Sequence, residues 1–259
     1  MKPKLSASPA LVDDLVAASR ILAQHGVLDA YGHVSARSDR KPERFLISRS
    51  LAPALVTAAD LMELDADSEP LPGDKRKGFL ERYIHGEIYR ARPDVMAVVH
   101  SHSPSVIPFG VTRTKLKPIY HMGSFLWSGA PVFDIRTERE DNDLLIRDRP
   151  LGRALAGSLG SCNCVLMRGH GMTVIGESVP EAVFRAIYTE MNARLQLQAA
   201  QLEGPIEFLS DEEGRRSSAS NRGTIERPWE LWKKSVAGAS PGAGARKRAR
   251  GSAGSRRRR

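Results

Sequence analysis

The chain has 259 residues, of which 41% are apolar and 27% charged, so it can bury a substantial core and is not a disordered chain. Its longest uncharged run, residues 95–112, contains two histidines and two prolines, which excludes a membrane-spanning helix there. The N-terminal segment lacks the apolar stretch of a secretory signal, and Cys162 and Cys164 are the only cysteines, so we expect a cytoplasmic protein with free thiols.

The net charge of +9 is concentrated at the C-terminus. Residues 238–259 contain eight basic residues and no acidic ones, and removing them leaves +1 for the rest of the chain. We therefore expect a nearly neutral body and a disordered basic tail over 238–259. A weak nucleic-acid contact through the tail is the alternative, which the absence of aromatic residues among these charges disfavours.

The first half of the chain predicts two helices separated by short strands. Apolar residues from Leu11 to Leu22 recur at helical spacing. Strand-like segments follow around Val34, at Phe45–Ser48 and at Leu61–Asp65. A second helix is predicted from Gly78 to Ala91, where Pro93 prevents its continuation.

The second half repeats this alternation, which is typical of an α/β architecture. Apolar strands are predicted at Val95–His100, Pro131–Asp134 and Cys164–Arg168, with MTVIG extended after the last of them. Residues 144–159 are helical in part, and the longest helix begins at Pro180 and ends near Leu202. We expect a catalytic domain over 1–210 and an extension over 211–237, with one last ordered turn from Arg227 to Val236.

Three histidines lie where predicted strands end. His100 and His102 are two residues apart, so their imidazoles lie on the same side of an extended chain. His170 follows a second apolar strand within RGHG, where glycines permit a sharp turn. Since ligand sites gather beyond the carboxyl ends of strands in α/β sheets, these side chains predict a site for a divalent metal.

Glu81, on the helix before the H-x-H strand, is a candidate fourth ligand. From the residues alone, a solvated helix charge is the favoured interpretation of this glutamate. His85 lies four residues further along the same helix face, and we interpret it as a half-buried structural histidine.

Taken together, GHVSAR, the Glu81 helix, RPDVMAVVHSH and MRGHG resemble the class II aldolase/adducin-head family, typified by L-fuculose-phosphate aldolase, over about Leu11 to Leu202. The resemblance implies a three-layer α/β/α fold around a mixed central sheet. It implies that His100, His102 and His170 bind a metal and that Glu81 is both a fourth ligand and an acid/base. It also implies a homotetramer with active sites at subunit interfaces.

The sequence departs from the sugar-phosphate aldolases of this family at their phosphate site. Their glycine-asparagine corresponds to Gly32-His33, and two serines correspond to Phe79 and Leu80, so hydroxyls that would bind phosphate are absent. These departures, with FLISRS and YHMGSF, resemble a branch like the 3-hydroxy-2-methylpyridine-4,5-dicarboxylate decarboxylases. The resemblance therefore implies a carbon–carbon lyase that decarboxylates a small hydroxylated aromatic or heteroaromatic acid.

Two other functions remain open, an aldolase for an unphosphorylated hydroxy-carbonyl compound and a scaffold like the adducin head. We expect Zn2+ at the site, with Mn2+ or Co2+ as alternatives. The substrate carboxylate is expected to meet Gly32, His33 and the Ser48-Arg49-Ser50 loop, although a surface charge is an equal interpretation of Arg49. His121 corresponds to an interface tyrosine of the aldolases and is expected to donate a proton from a neighbouring subunit, unless it is only a polar loop residue.

Overall fold

The structure, a computed structural model, describes residues 5–237, so the basic tail expected at 238–259 lies outside the described residues. The strands are β1 (His33–Arg37), β2 (Phe45–Ser48), β3 (Leu61–Leu64), β4 (Ala97–Ser101), β5 (Val132–Phe133), β6 (Cys164–Met167) and β7 (Gly171–Gly176). The α-helices are α1 (Pro9–Gln24), α2 (Arg82–Ala91), α3 (Ile107–Val111), α4 (Arg149–Leu159), α5 (Val179–Ala199), α6 (Asp211–Arg222) and α7 (Glu226–Ala237). None of these helices is long and apolar enough to cross a membrane.

The strands form one mixed sheet in the order β3-β2-β1-β4-β7-β6-β5. Neighbouring strands are antiparallel except β5 and β6, which are parallel. β4 therefore lies at the centre of the sheet, between β1 and β7, and its C-terminal end carries the H-x-H pair.

Helices cover both faces of the sheet because successive residues of the central strands face opposite sides. Ala97 and Val99 of β4 belong to a core shared with α1, α5 and α7. Val98 belongs to a second core shared with α2 and α4. The predicted three-layer α/β/α architecture is thus confirmed.

The second helix starts later than the sequence predicts. α2 begins at Arg82 rather than Gly78, and Glu81 is its cap residue, with φ −92° and ψ 22°. Because Glu81 stands outside the helix, its carboxylate is free to turn toward the sheet.

The C-terminal region is more helical than expected. The structure has two helices, α6 and α7, where a single ordered turn was predicted. The sequence of α6 has no apolar stripe. Its N-terminus is held by a capping box between Ser210 and Glu213, and Gly214 packs closely on Trp127.

Candidate metal centre

The end of β4 brings His100 and His102 to the face covered by α2 and α4. His100 is two residues beyond Val98, so it lies on the same side of the strand, and it is fully buried. His102 follows just after the strand, with a quarter of its side chain exposed. The site is therefore closed on the His100 side and open to solvent beside His102.

His170 reaches the same place from the turn between β6 and β7. Gly169 has φ +65°, a left-handed conformation that glycine adopts without steric cost, and the His170 N–H donates to the Met167 carbonyl. The turn carries the His170 ring to within 4.9 Å of the His100 ring and 5.0 Å of the His102 ring, centroid to centroid.

Glu81 supplies a buried carboxylate opposite the histidines. Its Oε1 accepts a hydrogen bond of 3.0 Å from the Ile146 backbone N–H. Its Oε2 lies 3.4 Å from Nε2 of His100 and 3.4 Å from Nε2 of His170. One carboxylate oxygen of Glu81 is thus hydrogen-bonded to the backbone, and the other faces His100 and His170.

One ligand atom from each of these four residues lies within 4.8 Å of the others. The Nε2 atoms of His102 and His170 are 3.1 Å apart. Tetrahedral coordination with zinc–nitrogen bonds of ordinary length separates neighbouring ligand atoms by about 3.3 Å. The spacing of the cluster therefore matches the ligand shell of a single ion.

The hydrogen bonds at the opposite ring nitrogens test whether these rings fit a cation. Each Nδ1 faces an oxygen acceptor: Met172 O at 3.1 Å from His100, Asp29 Oδ2 at 3.3 Å from His102, and Leu144 O at 2.8 Å from His170. With the proton on Nδ1, all three Nε2 atoms carry lone pairs. Nε2 of His100 is buried without a hydrogen-bond partner among the described residues, which a divalent cation would satisfy.

The charge states of Glu81 and His100 also suit metal binding. Burial acts to raise the pKa of Glu81, but His100 and His170 outweigh it, and the pKa lies well below that of an ordinary glutamate. Burial lowers the pKa of His100, which favours the neutral imidazole. Burial also acts to lower the pKa of His170, but the Glu81 carboxylate outweighs it and the pKa is raised, so a bound cation would have to displace a proton from this ring. An ionised carboxylate and neutral imidazoles are the forms that coordinate metals.

The structure brings Gly32 and His33 of the predicted substrate site next to the cluster. His33 is paired with His100 across β1 and β4, and their ring centroids are 5.1 Å apart. A Cβ at Gly32 would lie 2.6 Å from Leu28 and 3.0 Å from the His100 carbonyl oxygen, so a larger residue there would require Leu28 and the β4 backbone to shift. The Phe79 ring lies against His33, with centroids 4.3 Å apart.

Ser48, Arg49 and Ser50 lie at the end of β2. Nε of Arg49 donates to Asp60 Oδ1 at 2.8 Å, and the Ser50 N–H donates to the Lys77 carbonyl. Within residues 5–237, no hydrogen bond or ion pair joins these three residues to the four candidate ligands. Their contact with substrate stays a prediction.

His121 lies apart from the cluster in this chain. It is exposed at the start of a 3₁₀ segment, His121–Ser128, and its carbonyl accepts from Asn221 at 2.6 Å. No hydrogen bond or ring contact in the described part of the chain links it to the four candidate ligands. The prediction places His121 in a neighbouring subunit's site, so its role also stays a prediction.

Sequence reasoning missed the groups that orient the ligands. The Asp29 carboxylate is hydrogen-bonded to the His102 ring and also accepts hydrogen bonds from the backbone N–H groups of Tyr31 and Gly32. The aspartate in the segment DAYG could have indicated this turn. Leu144 and Ile146 act through backbone atoms, for which a sequence has no signature. His85, expected to be half-buried, is fully buried and hydrogen-bonded at both ring nitrogens.

Comparison with known proteins gives the family directly. Residues 13–197 match the model of the class II aldolase and adducin N-terminal domain. The chain is 40% identical to the decarboxylase tropJ of Talaromyces stipitatus, over 87% of this chain and 93% of that protein. It is 35% identical to a 3,4-dihydroxyphthalate decarboxylase of a Terrabacter species, over 72% of this chain and 80% of that protein.

The fold has a solved counterpart as well. An aldolase II superfamily protein from Pseudomonas syringae superposes with a TM-score of 0.73 at 23% identity, over 89% of this chain and 94% of that one. Family model, relatives and fold agree with the resemblance seen in the motifs, and they support an enzyme of the lyase type. The chain belongs to the class II aldolase and adducin family.

Proposed function

We propose that this protein is a divalent-metal-dependent decarboxylase of a small hydroxylated aromatic or heteroaromatic acid. The proposed ligands are Glu81, His100, His102 and His170, and the proposed metal is Zn2+, with Mn2+ or Co2+ as alternatives. The observation that carries the proposal is the convergence of one carboxylate oxygen and one ring nitrogen from each of three histidines within 4.8 Å.

The relatives support decarboxylation over other lyase reactions. The two reported above are both named decarboxylases, and one name specifies a dihydroxylated phthalate. A hydroxyl beside a carboxylate offers two oxygen donors to one cation. The open side of the cluster, at His102, is where such a substrate would enter.

The chemistry requires an electron sink and a proton. When bound, the cation supplies Lewis-acid stabilisation of the negative charge that remains after carbon dioxide departs. The bond between ring carbon and carboxylate breaks, its electron pair stays on the ring carbon, and that carbon takes up one proton. We assign proton transfer to Glu81 as acid/base and to His121 of a neighbouring subunit as the donor to carbon.

The surroundings of the cluster favour an aromatic acid over a sugar phosphate. Phe79 presents an aromatic side chain beside His33, where the sugar-phosphate aldolases have a serine. Gly32 and His33 adjoin the cluster and are proposed to contact the substrate, as are Ser48, Arg49 and Ser50. An aromatic side chain at this place suits a flat ring.

The oligomer and the location complete the proposal. We propose a cytoplasmic homotetramer whose sites lie at subunit interfaces, because the exposed His121 has no partner in the cluster of its own chain within residues 5–237. Light scattering on the purified protein gives the oligomeric state directly.

The deciding experiment measures products and metal together. Purified protein is supplied with Zn2+ or Mn2+ and screened over ortho-hydroxylated aromatic and heteroaromatic acids for carbon dioxide release. Aldehyde release from hydroxy-ketones is measured in parallel. Carbon dioxide release that a chelator abolishes is the expected result. Aldehyde release instead would assign the aldolase, and a protein that binds no metal and releases neither product would be a scaffold.

A further inference from the structure

Behind the metal cluster lies a buried row of four polar side chains between β1 and α2. The Tyr89 hydroxyl is 2.7 Å from Ser35 Oγ, and Ser35 Oγ is 2.6 Å from Nδ1 of His85. Nε2 of His85 is 2.7 Å from Nδ1 of His33. Of this row, here named the Tyr89–His33 chain, the proposed function uses only His33, as a substrate contact.

The two elements place these residues in register. His33 and Ser35 are two apart on β1, so both face α2, and His85 and Tyr89 are four apart on the facing side of that helix. None of the four is more than 5% exposed. Buried polar groups at such distances depend on one another for hydrogen bonds, because water does not reach them.

Only one direction of hydrogen bonding satisfies every member. Ser35 Oγ is the only hydrogen-bond partner of the Tyr89 hydroxyl among the described residues. Tyr89 therefore donates to Ser35, and Ser35 donates to Nδ1 of His85. His85 must then carry its proton on Nε2 and donate it to Nδ1 of His33.

The reverse direction would leave the buried Tyr89 hydroxyl hydrogen without an acceptor, which is a costly arrangement. Burial lowers the pKa of His85 to about 3 and raises the pKa of Tyr89, so both groups are neutral. What remains to be decided is which ring nitrogen of His85 and of His33 carries the proton, and the hydrogen bonds of the Tyr89–His33 chain decide it.

His33 is the end of this chain that meets the candidate site. Its ring lies between Phe79 and His100, and its Nε2 makes no hydrogen bond to any residue in the range 5–237. We propose that Ser35 and His85 are positioning residues that hold His33 as a neutral Nε2–H donor to a substrate oxygen. The tautomer of His33 follows from the hydrogen bonds of the Tyr89–His33 chain. Only the identity of the substrate oxygen rests on the proposed function.

A neutral donor suits this position. An imidazolium beside a divalent cation would be repelled, whereas a neutral N–H can bind a carboxylate or phenolate oxygen without that penalty. A bare Nε2 lone pair would repel the same oxygen. The Tyr89–His33 chain therefore selects substrates that present an acceptor oxygen to His33, and it disfavours those that present a hydroxyl hydrogen.

The first test reads the tautomer in the metal-free protein. Nitrogen-15 NMR of histidine-labelled protein distinguishes protonated from unprotonated ring nitrogens, and loss of signals in His33→Gln assigns those of His33. We expect an unprotonated Nδ1 and a protonated Nε2. A protonated Nδ1 on His33 would overturn the proposal whatever reaction the enzyme performs.

The second test compares two variants. Ser35→Ala removes the donor to His85, so both tautomers leave one group unpaired and the preference should disappear. Tyr89→Phe leaves the Ser35 hydroxyl able to donate to His85 and should keep the tautomer. With a substrate from the screen, we expect Ser35→Ala to reduce kcat/KM about 10- to 100-fold and Tyr89→Phe to reduce it little.

A double variant separates positioning from structural damage. The side-chain amide introduced by His33→Gln carries its own N–H donor and needs no tautomer, so adding Ser35→Ala to that variant should reduce kcat/KM no further. An equal loss from Ser35→Ala in both backgrounds would refute the positioning role. If the screen finds no decarboxylase substrate, the proposed function fails while the NMR result still decides the tautomer.

Discussion

His102 is the proposed ligand whose removal best separates metal binding from folding. Its side chain is 24% exposed, whereas His100 is fully buried, so His102→Ala opens no cavity in the core. A metal that binds only the folded state at 100 times its dissociation constant stabilises the protein by about 2.7 kcal/mol. For a chain of this size that corresponds to a rise in Tm of about 5–10 °C.

Loss of a residue that only orients a ligand weakens metal binding about 10- to 100-fold. Loss of one of the four ligands themselves should weaken it by more than about 100-fold. At the same free Zn2+ the stabilisation then falls to about 0.4 kcal/mol or less, and the rise in Tm to about 1–2 °C or less. The assay is thermal unfolding with and without Zn2+, with metal content measured by mass spectrometry.

The matched control is His121→Ala, which removes an exposed histidine outside the cluster. It should retain the full metal-dependent rise in Tm. If His102→Ala keeps that rise and a stoichiometric metal content, the four residues do not form the metal site.

Three further substitutions test the surroundings of the cluster. Asp29→Asn keeps an oxygen for the Tyr31 and Gly32 N–H groups but places an NH2 donor where His102 has its acceptor, so zinc affinity measured by competition with a chelator should fall about 10-fold or more; unchanged affinity would contradict an orienting role. Arg49→Ala should raise KM about 10-fold with kcat retained if the guanidinium binds the substrate carboxylate, and unchanged kcat/KM would remove it from the site. His121→Phe should lower kcat about 100-fold or more with substrate binding retained, and an equal loss of binding would assign it to pocket shape.

The part of the site that sequence could predict consists of side chains at positions fixed by regular structure. His100 and His102 share a side because a strand has a period of two, and His170 is placed by a turn at Gly169. Glu81 needed the family resemblance, because its carboxylate reaches the cluster only by leaving the helix that the pattern predicted. The contributions of Leu144 and Ile146 could not be predicted from the sequence, since every residue has the same backbone carbonyl and most have the same N–H.

The fold shows the same division. A sheet layered with helices followed from apolar strands alternating with helices, whereas the three-layer arrangement was implied by the family resemblance. α6 was missed because it is held by a cap and by close backbone approach rather than by an apolar stripe. Apolar periodicity reveals helices that bury side chains, whereas α6 packs through Gly214, which has no side chain.

Gly214 tests this account of α6. A Cβ at Gly214 would lie 2.5 Å from Cβ of Trp127, which is too close and cannot be relieved by rotating the Trp127 side chain. Alanine is favoured over glycine within a helix by about 1 kcal/mol, but overpacking of this kind costs about 1–3 kcal/mol. We therefore expect Gly214→Ala to lower the Tm or leave it no higher, measured by thermal unfolding.

Gly157 is the matched control because it lies within α4 and a Cβ there would meet no atom within 4 Å. Gly157→Ala should gain the helix preference without a clash and raise the Tm by about 2–4 °C. The close contact at Gly214 then accounts for the difference between the two variants. Equal stabilisation by both would mean that α6 does not depend on the approach to Trp127, and its position in the fold would need another explanation.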